Sequence, residues 1–467
     1  MKSGKINISG ILALILVGIA IGCGVLIDPY AGAVAACVII IILLSFMRPW
    51  VVVALLLAFT PFRILWWGAD GIAVAEALYS CTFLLLVACW IVRYISDAAV
   101  KGYVPDVRSP LVPPLMLLFA ASFLSAFIAI SQHRPFHAWG SHLNLISFYA
   151  MYFVVVGYLK SLKDLNKVFM ILFVVTMVAV IRGIFVRVII DPYSVEILGA
   201  SAPKIAMASS AALVLLMLIL PLSMLGETGK IRIFYGLIAA FLLAQQILAF
   251  VRSRWIGAVA GLMFLFFALS PVKKKLFLKC ALLILFILII YVQICSMFPS
   301  GHFFFQLPRL AEERFASIFR PSEEITALTR FSEWSAALAK IKQHPIIGNG
   351  LGTKVSFIAY DEYRNPVRVS NYLHNSYLFF LLNTGIAGLL AILWLSIAFI
   401  IYGLKVYRST AKPYYKALAL GCVTAYVSLF TTSFVGPELS FPGRTIVVGF
   451  LMGAVALIDK TESNKPI

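Results

Sequence analysis

Four residues combine a type and a position that could do chemistry: Arg252 and Arg254 in "FVRSRW", Arg330 in "TALTRFSEW", and His374 in "HNSYLFFLL". The first two interrupt what would otherwise be adjacent apolar stretches. Guanidinium forks there suit phosphate oxygens, the more so where water is scarce. Arginines snorkelling to the surface at two helix ends would fit the same spacing. Arg330 has Glu333 three residues on, the spacing of a solvated helical ion pair. His374 stands at the positive end of an apolar helix, and a neutral imidazole there can take a proton as a general base. A histidine that merely anchors an interface would be placed alike.

These residues must be positioned by elements made mostly of oil. The 467 residues are 62% hydrophobic and 12% charged, with mean hydropathy +1.00, which leaves too little polar surface to cover a water-soluble globule. Fourteen apolar stretches have the length of a membrane span, and merging closely spaced pairs gives twelve. The expectation is an all-α polytopic transmembrane helix bundle of 12–14 helices with both termini in the cytoplasm. Ile8 to Leu26 reads as a first span rather than a cleaved leader. The formal charge of +19 concentrates in short connectors such as "KSLKDLNK", "PVKKKLFLK" and "KVYRSTAKPYYK". Placed on the cytoplasmic side, they orient the protein, and no nucleic-acid partner is needed.

Three regions follow: spans over residues 1–298, a long polar segment over 299–375 on the face opposite the basic connectors, and C-terminal spans over 376–467. A segment of that length in a compact protein is usually functional. Within it "TALTRFSEWSAALAKIKQHP" predicts a helix stopped by Pro345, its stripe of Leu328, Phe331, Trp334, Leu338 and Ile341 turned to the bundle or the membrane surface. "GNGLG", Gly348 to Gly352, follows a helix instead of a strand and reads as a flexible turn. "GETGK" lacks the spacing of a nucleotide loop. All seven cysteines lie in apolar stretches without metal-ligand spacing, so neither disulfides nor zinc is expected, and no motif calls for a cofactor.

Together Ser253-Arg254, Arg330 to Trp334, His344-Pro345 with Gly348 and Gly350, His374-Asn375-Ser376-Tyr377-Leu378, and Gly385 with Gly388 resemble the O-antigen ligase and polymerase superfamily. The likeness spans about Phe250 to Leu390; the first 230 residues share only hydrophobicity. One departure is Trp255, where the family's more usual pattern is Ser-Arg-Gly. The resemblance implies a membrane glycosyltransferase of the GT-C type in the bacterial inner membrane, working at the periplasmic face on a glycan carried by undecaprenyl diphosphate. It implies that Arg254 and Arg330 hold the diphosphate, that His374 activates the acceptor hydroxyl, and that no metal is needed. Arg252 joins the diphosphate site on charge placement alone.

Lipid A core as acceptor would make the protein a ligase, the favoured reading, and a lipid-linked glycan acceptor would make it a repeat-unit polymerase. A lipid-linked glycan flippase or polysaccharide exporter would also want cations facing an anionic headgroup, arranged along a path through the bundle.

Overall fold

A computed structural model describes residues 29–62, 69–101, 107–159, 161–185, 209–226, 229–297, 303–320, 324–360, 365–371 and 373–463. The expected first span, Ile8 to Leu26, lies outside the described residues. In lipid every backbone amide must bond within the chain, and the apolar runs accordingly become helices. They are α1 (Pro29–Met47), α2 (Pro49–Phe62), α3 (Ala69–Lys101), α4 (Val112–Ser131), α5 (Phe136–Ser147), α6 (Met151–Tyr158), α7 (Leu162–Phe185), α8 (Ser209–Leu225), α9 (Gly229–Leu248), α10 (Arg252–Ala268) and α11 (Pro271–Met297). The polar segment contributes α12 (Phe303–Ala316), α13 (Ile325–Ile341) and a hairpin, β1 (Val355–Tyr360) with β2 (Pro366–Asn371). α14 (Ser376–Ser409), α15 (Pro413–Thr432) and α16 (Thr445–Ser463) complete the chain.

Seven helices among the described residues are long and apolar enough to cross a membrane. The chain is a multi-pass, all-α membrane protein. α11 shows the solvent most plainly: its aliphatic side chains, Leu282, Phe286 and Ile289 among them, are exposed and suit lipid. At the centre α8, α10 and α15 pack together. α10 meets α15 through two small residues one turn apart. A Cβ at Gly257 would collide with the Thr432 hydroxyl and the Ser428 carbonyl, and one at Gly261 with the Ser428 hydroxyl. Such pairs let helices in lipid approach backbone to backbone.

α14 is broken at Gly385, where φ is 66° and ψ is −164°. Only glycine adopts that combination without strain, and a Cβ there would run into the Ile346 carbonyl. The break frees backbone groups that the "GNGLG" turn and the residues just before it then satisfy. Asn349 N–H donates to Leu382 O (2.8 Å), Gly350 N–H to Asn383 O (3.2 Å), and Ile386 N–H to Pro345 O (3.1 Å). Arg134 clamps the turn from the far side, donating to the carbonyls of Asn349, Gly350 and Leu351 at 2.7–2.9 Å. His142 Nδ1 accepts from Gly352 N–H at 3.0 Å. The expected turn is present, but it is pinned and buried rather than flexible. Interrupted helices in a bundle survive where protein, not lipid, meets the loose backbone, and here the polar segment reaches into the bundle to do so.

The hairpin was not anticipated from sequence. Val355 and Phe357 are buried while Ser356 and Ile358 are exposed, the alternation of a half-buried strand. β1 pairs antiparallel with β2 from Val355↔Asn371 to Tyr360↔Pro366. Its other edge is covered by α13, whose Ser332 and Thr329 hydroxyls accept from Ile358 N–H (3.1 Å) and Tyr360 N–H (3.3 Å).

Candidate active site

α13 forms where its periodicity predicts, and its apolar stripe is divided between an exposed side and the bundle. Phe331 and Leu338 point outward, and the buried side chains are Glu333, Ala337 and Ile341. A carboxylate at 0% exposure is tenable only with partners. Glu333 has three. Arg330 Nη1 donates to Oε2 at 2.8 Å, while the His374 backbone N–H (2.6 Å) and the His374 Nδ1 (3.1 Å) both reach Oε1. The Arg330–Glu333 spacing thus pairs as expected, in the interior instead of in solvent. Burial alone would raise the Glu333 pKa, but the hydrogen bond and charge of His374, then those of Arg330, leave it below the ordinary carboxylate value.

An ionised carboxylate only accepts, so His374 Nδ1 carries the proton it shares with Glu333. In the neutral ring Nε2 then keeps its lone pair. The His374 side chain is 36% exposed, so the ring is not sealed off from a substrate. The ring lies just before α14, whose first turn is capped by Asn375: Oδ1 accepts from Tyr377 N–H (3.0 Å) and Leu378 N–H (3.1 Å). The arrangement is an acid–imidazole pair with one ring nitrogen oriented and the other available, the geometry of an aimed general base.

Because the folded Glu333 carboxyl titrates below its unfolded value, it stabilises the docked α13 above about pH 4.3. That contribution falls away as pH drops through the lower folded value. Hydrogen exchange over residues 325–341 is therefore expected to stay slow from neutrality to about pH 5 and to quicken below about pH 4. Uniform protection at pH 3 would contradict the pairing.

Arg254 sits on the first turn of α10 and is 5% exposed. The reversal before it is tight: Phe250 takes φ 50°, an uncommon value for a residue with a side chain. Trp255, the departure from the usual glycine, closes this reversal, its indole N–H donating to Gln246 O at 2.9 Å. Arg254 Nη1 lies 2.8 Å from Oε1 of Glu438, in the connector between α15 and α16, and Arg444 Nη1 donates to the same oxygen at 2.8 Å. The Arg254 contact is one of charge, because no N–H of that nitrogen aims at the oxygen. Buried Nε and Nη1 have no hydrogen-bond acceptor among the described residues.

Arg252 stands apart. Its guanidinium donates to Ser317 Oγ (3.0 Å) and Thr326 Oγ1 (2.7 Å) and pairs with Glu324 at 3.3 Å. It ties the start of α10 to the end of α12 and the start of α13.

The His374 and Arg254 groups are linked through the α15–α16 connector. Ser376 N–H donates to Ser433 O (3.0 Å), and Ser376 Oγ accepts from Leu439 N–H (3.1 Å), next to Glu438. From Arg330 to Arg254 the path runs Glu333, His374, Ser376, Leu439, Glu438, with each gap a contact or one or two residues. Three guanidinium groups, Arg254, Arg330 and Arg444, meet two buried carboxylates, so one positive charge is in excess before His374 is considered.

Residues 237–393 match the O-antigen ligase family. This match covers about a third of the chain and supports the O-antigen ligase superfamily. It supports a glycosyltransferase-like activity of the O-antigen ligase and polymerase kind. The matched stretch begins in α9, ends in α14 and holds Arg252, Arg254, Arg330, Glu333 and His374; Glu438 and Arg444 lie beyond it. No curated protein matches the chain. Sequence reasoning missed Glu438 and Arg444 altogether. The available signal was "GPELSFPGR", an acid and a base amid prolines and glycines between two apolar stretches.

Proposed function

We propose that this protein is a metal-independent, inverting glycosyltransferase of the bacterial inner membrane. It moves a glycan from undecaprenyl diphosphate to a hydroxyl of lipid A core at the periplasmic face. The carrying observation is Glu333, which gathers Arg330 and His374 onto one buried carboxylate and leaves His374 Nε2 as proton acceptor. A flippase or exporter has no use for an oriented imidazole; an acceptor hydroxyl does.

In this reading the acceptor O–H gives its proton to His374 Nε2 as its oxygen attacks C1 of the donor sugar. The C1–O bond to the diphosphate breaks, and its electron pair leaves on the phosphate oxygen, inverting C1 in one displacement. Charge grows on that oxygen as the bond lengthens, so fixed guanidinium groups favour the transition state over the ground state. Arg254 supplies N–H groups that no protein acceptor uses. Arg330, held by Glu333, supplies a second cation near the ring. Glu333 also stabilises the imidazolium once it forms.

Arg254→Lys is expected to lower kcat about 10²-fold, since an ammonium cannot offer two parallel donors. Full turnover by the lysine variant in a steady-state assay would show that charge alone suffices. The reading as a whole is tested by transfer in vitro from a defined undecaprenyl-diphosphate glycan, in EDTA, offering lipid A core and a lipid-linked glycan in separate arms. Product on lipid A core is expected. Product in the other arm alone would make the protein a polymerase, and none in either would overturn the proposal.

A further inference from the structure

We propose that Glu438 is a positioning counter-ion that limits how tightly the Arg254–Arg444 site holds a lipid-linked diphosphate, and that it thereby speeds departure of the spent carrier. This rests on the glycosyltransferase reading above. The starting point is an uneven use of atoms. Glu438, 1% exposed, gives one oxygen, Oε1, to two guanidinium groups, while its buried Oε2 meets no hydrogen-bond donor among the described residues. Arg254 is neutralised in charge, yet its Nε and Nη1 protons are unused. Both nitrogens are enclosed, so a phosphate oxygen that takes their protons must first open the site around them, and it then lies beside the carboxylate.

The carboxylate does not swing clear easily, because its neighbour Leu439 is bonded at both backbone groups, N–H to Ser376 Oγ (3.1 Å) and O to Tyr149 OH (2.8 Å). A diphosphate on Arg254 thus sits beside a fixed negative charge in a site with little water to screen it. The repulsion grows with the ligand's own charge. A glycosylated diphosphate is a diester, whereas the carrier released after transfer ends in a free terminal phosphate that can ionise once more. Glu438 therefore loosens the product more than the donor. Without such a counter-ion, the guanidinium groups that stabilise the leaving oxygen would retain it.

The test compares the full-length wild type with Glu438→Gln in lipid nanodiscs, using undecaprenyl diphosphate and, separately, inorganic pyrophosphate as probes. The glutamine variant is expected to bind undecaprenyl diphosphate about tenfold tighter while steady-state turnover falls. The sign is decisive, because a merely structural role would weaken binding. Pyrophosphate should tighten in parallel; tightening confined to the lipid probe would place the effect outside the headgroup and overturn the proposal. Equal or weaker binding by a folded Glu438→Gln also overturns it.

Should that variant fail to fold, Arg444→Gln decides. Its head is partly exposed, and losing it leaves Glu438 to Arg254 alone, so undecaprenyl diphosphate should bind about tenfold more weakly. Unchanged affinity there would refute the counter-ion role. Failure of the wild type to bind the lipid diphosphate at all would instead sink the glycosyltransferase reading itself.

Discussion

His374→Ala is expected to lower transfer about 10²- to 10⁴-fold, the usual contribution of a positioned general base. The protein should remain folded in the membrane, because the ring is partly exposed and α14 is capped by Asn375, not by the imidazole. The backbone N–H of residue 374 would still reach Glu333, so α13 keeps that tether and its pair with Arg330. Donor binding should change little, since the guanidinium groups are untouched. The effect should therefore fall on kcat and leave KM for the lipid-linked donor near its wild-type value. Wild-type product yield from His374→Ala in the two-acceptor assay would remove the base from the mechanism.

What the sequence made legible, and what it did not, divides along physical lines. Helix existence was plain, because long apolar runs leave the backbone no alternative in lipid. Arg254, Arg330 and His374 stood out because ionisable groups beside such runs need a reason. The face of α13 did not follow from its pattern. The apolar stripe left the bundle and the membrane surface both open; Phe331 and Leu338 are exposed, while an ion pair with a third partner 41 residues away holds Glu333 inward. Periodicity weighs hydrophobicity and has no term for a distant histidine. The pinned "GNGLG" turn escaped for a related reason. Its rigidity comes from Arg134, more than 200 residues earlier, and from the break at Gly385. Glu438 lay outside every motif, and only the close crossing at Gly257 and Gly261 brings α10 against the helix that leads to it.

Glu333 carries the second large expected effect, and its two substitutions should separate structure from chemistry. In Glu333→Ala, Arg330 loses its carboxylate while remaining largely enclosed, and breaking such a pair typically costs about 3–5 kcal/mol. α13 should loosen from α14, and hydrogen exchange over 325–341 should quicken even at neutral pH. Glu333→Gln keeps the volume but swaps one oxygen for an NH₂, which cannot accept from Arg330 and His374 together. One partner loses its bond, the ring loses its fixed tautomer, and the forming imidazolium loses its counter-charge. Turnover should fall about 10²-fold or more with donor KM nearly unchanged, and the variant should stay folded. Glu333→Asp retains the charge at shorter reach and should recover part of that loss. A glutamine variant as active as wild type, with its exchange pattern intact, would mean that the carboxylate merely fills a hole beneath the histidine. In that case the proton acceptor would have to be sought elsewhere than at the His374–Glu333 pair.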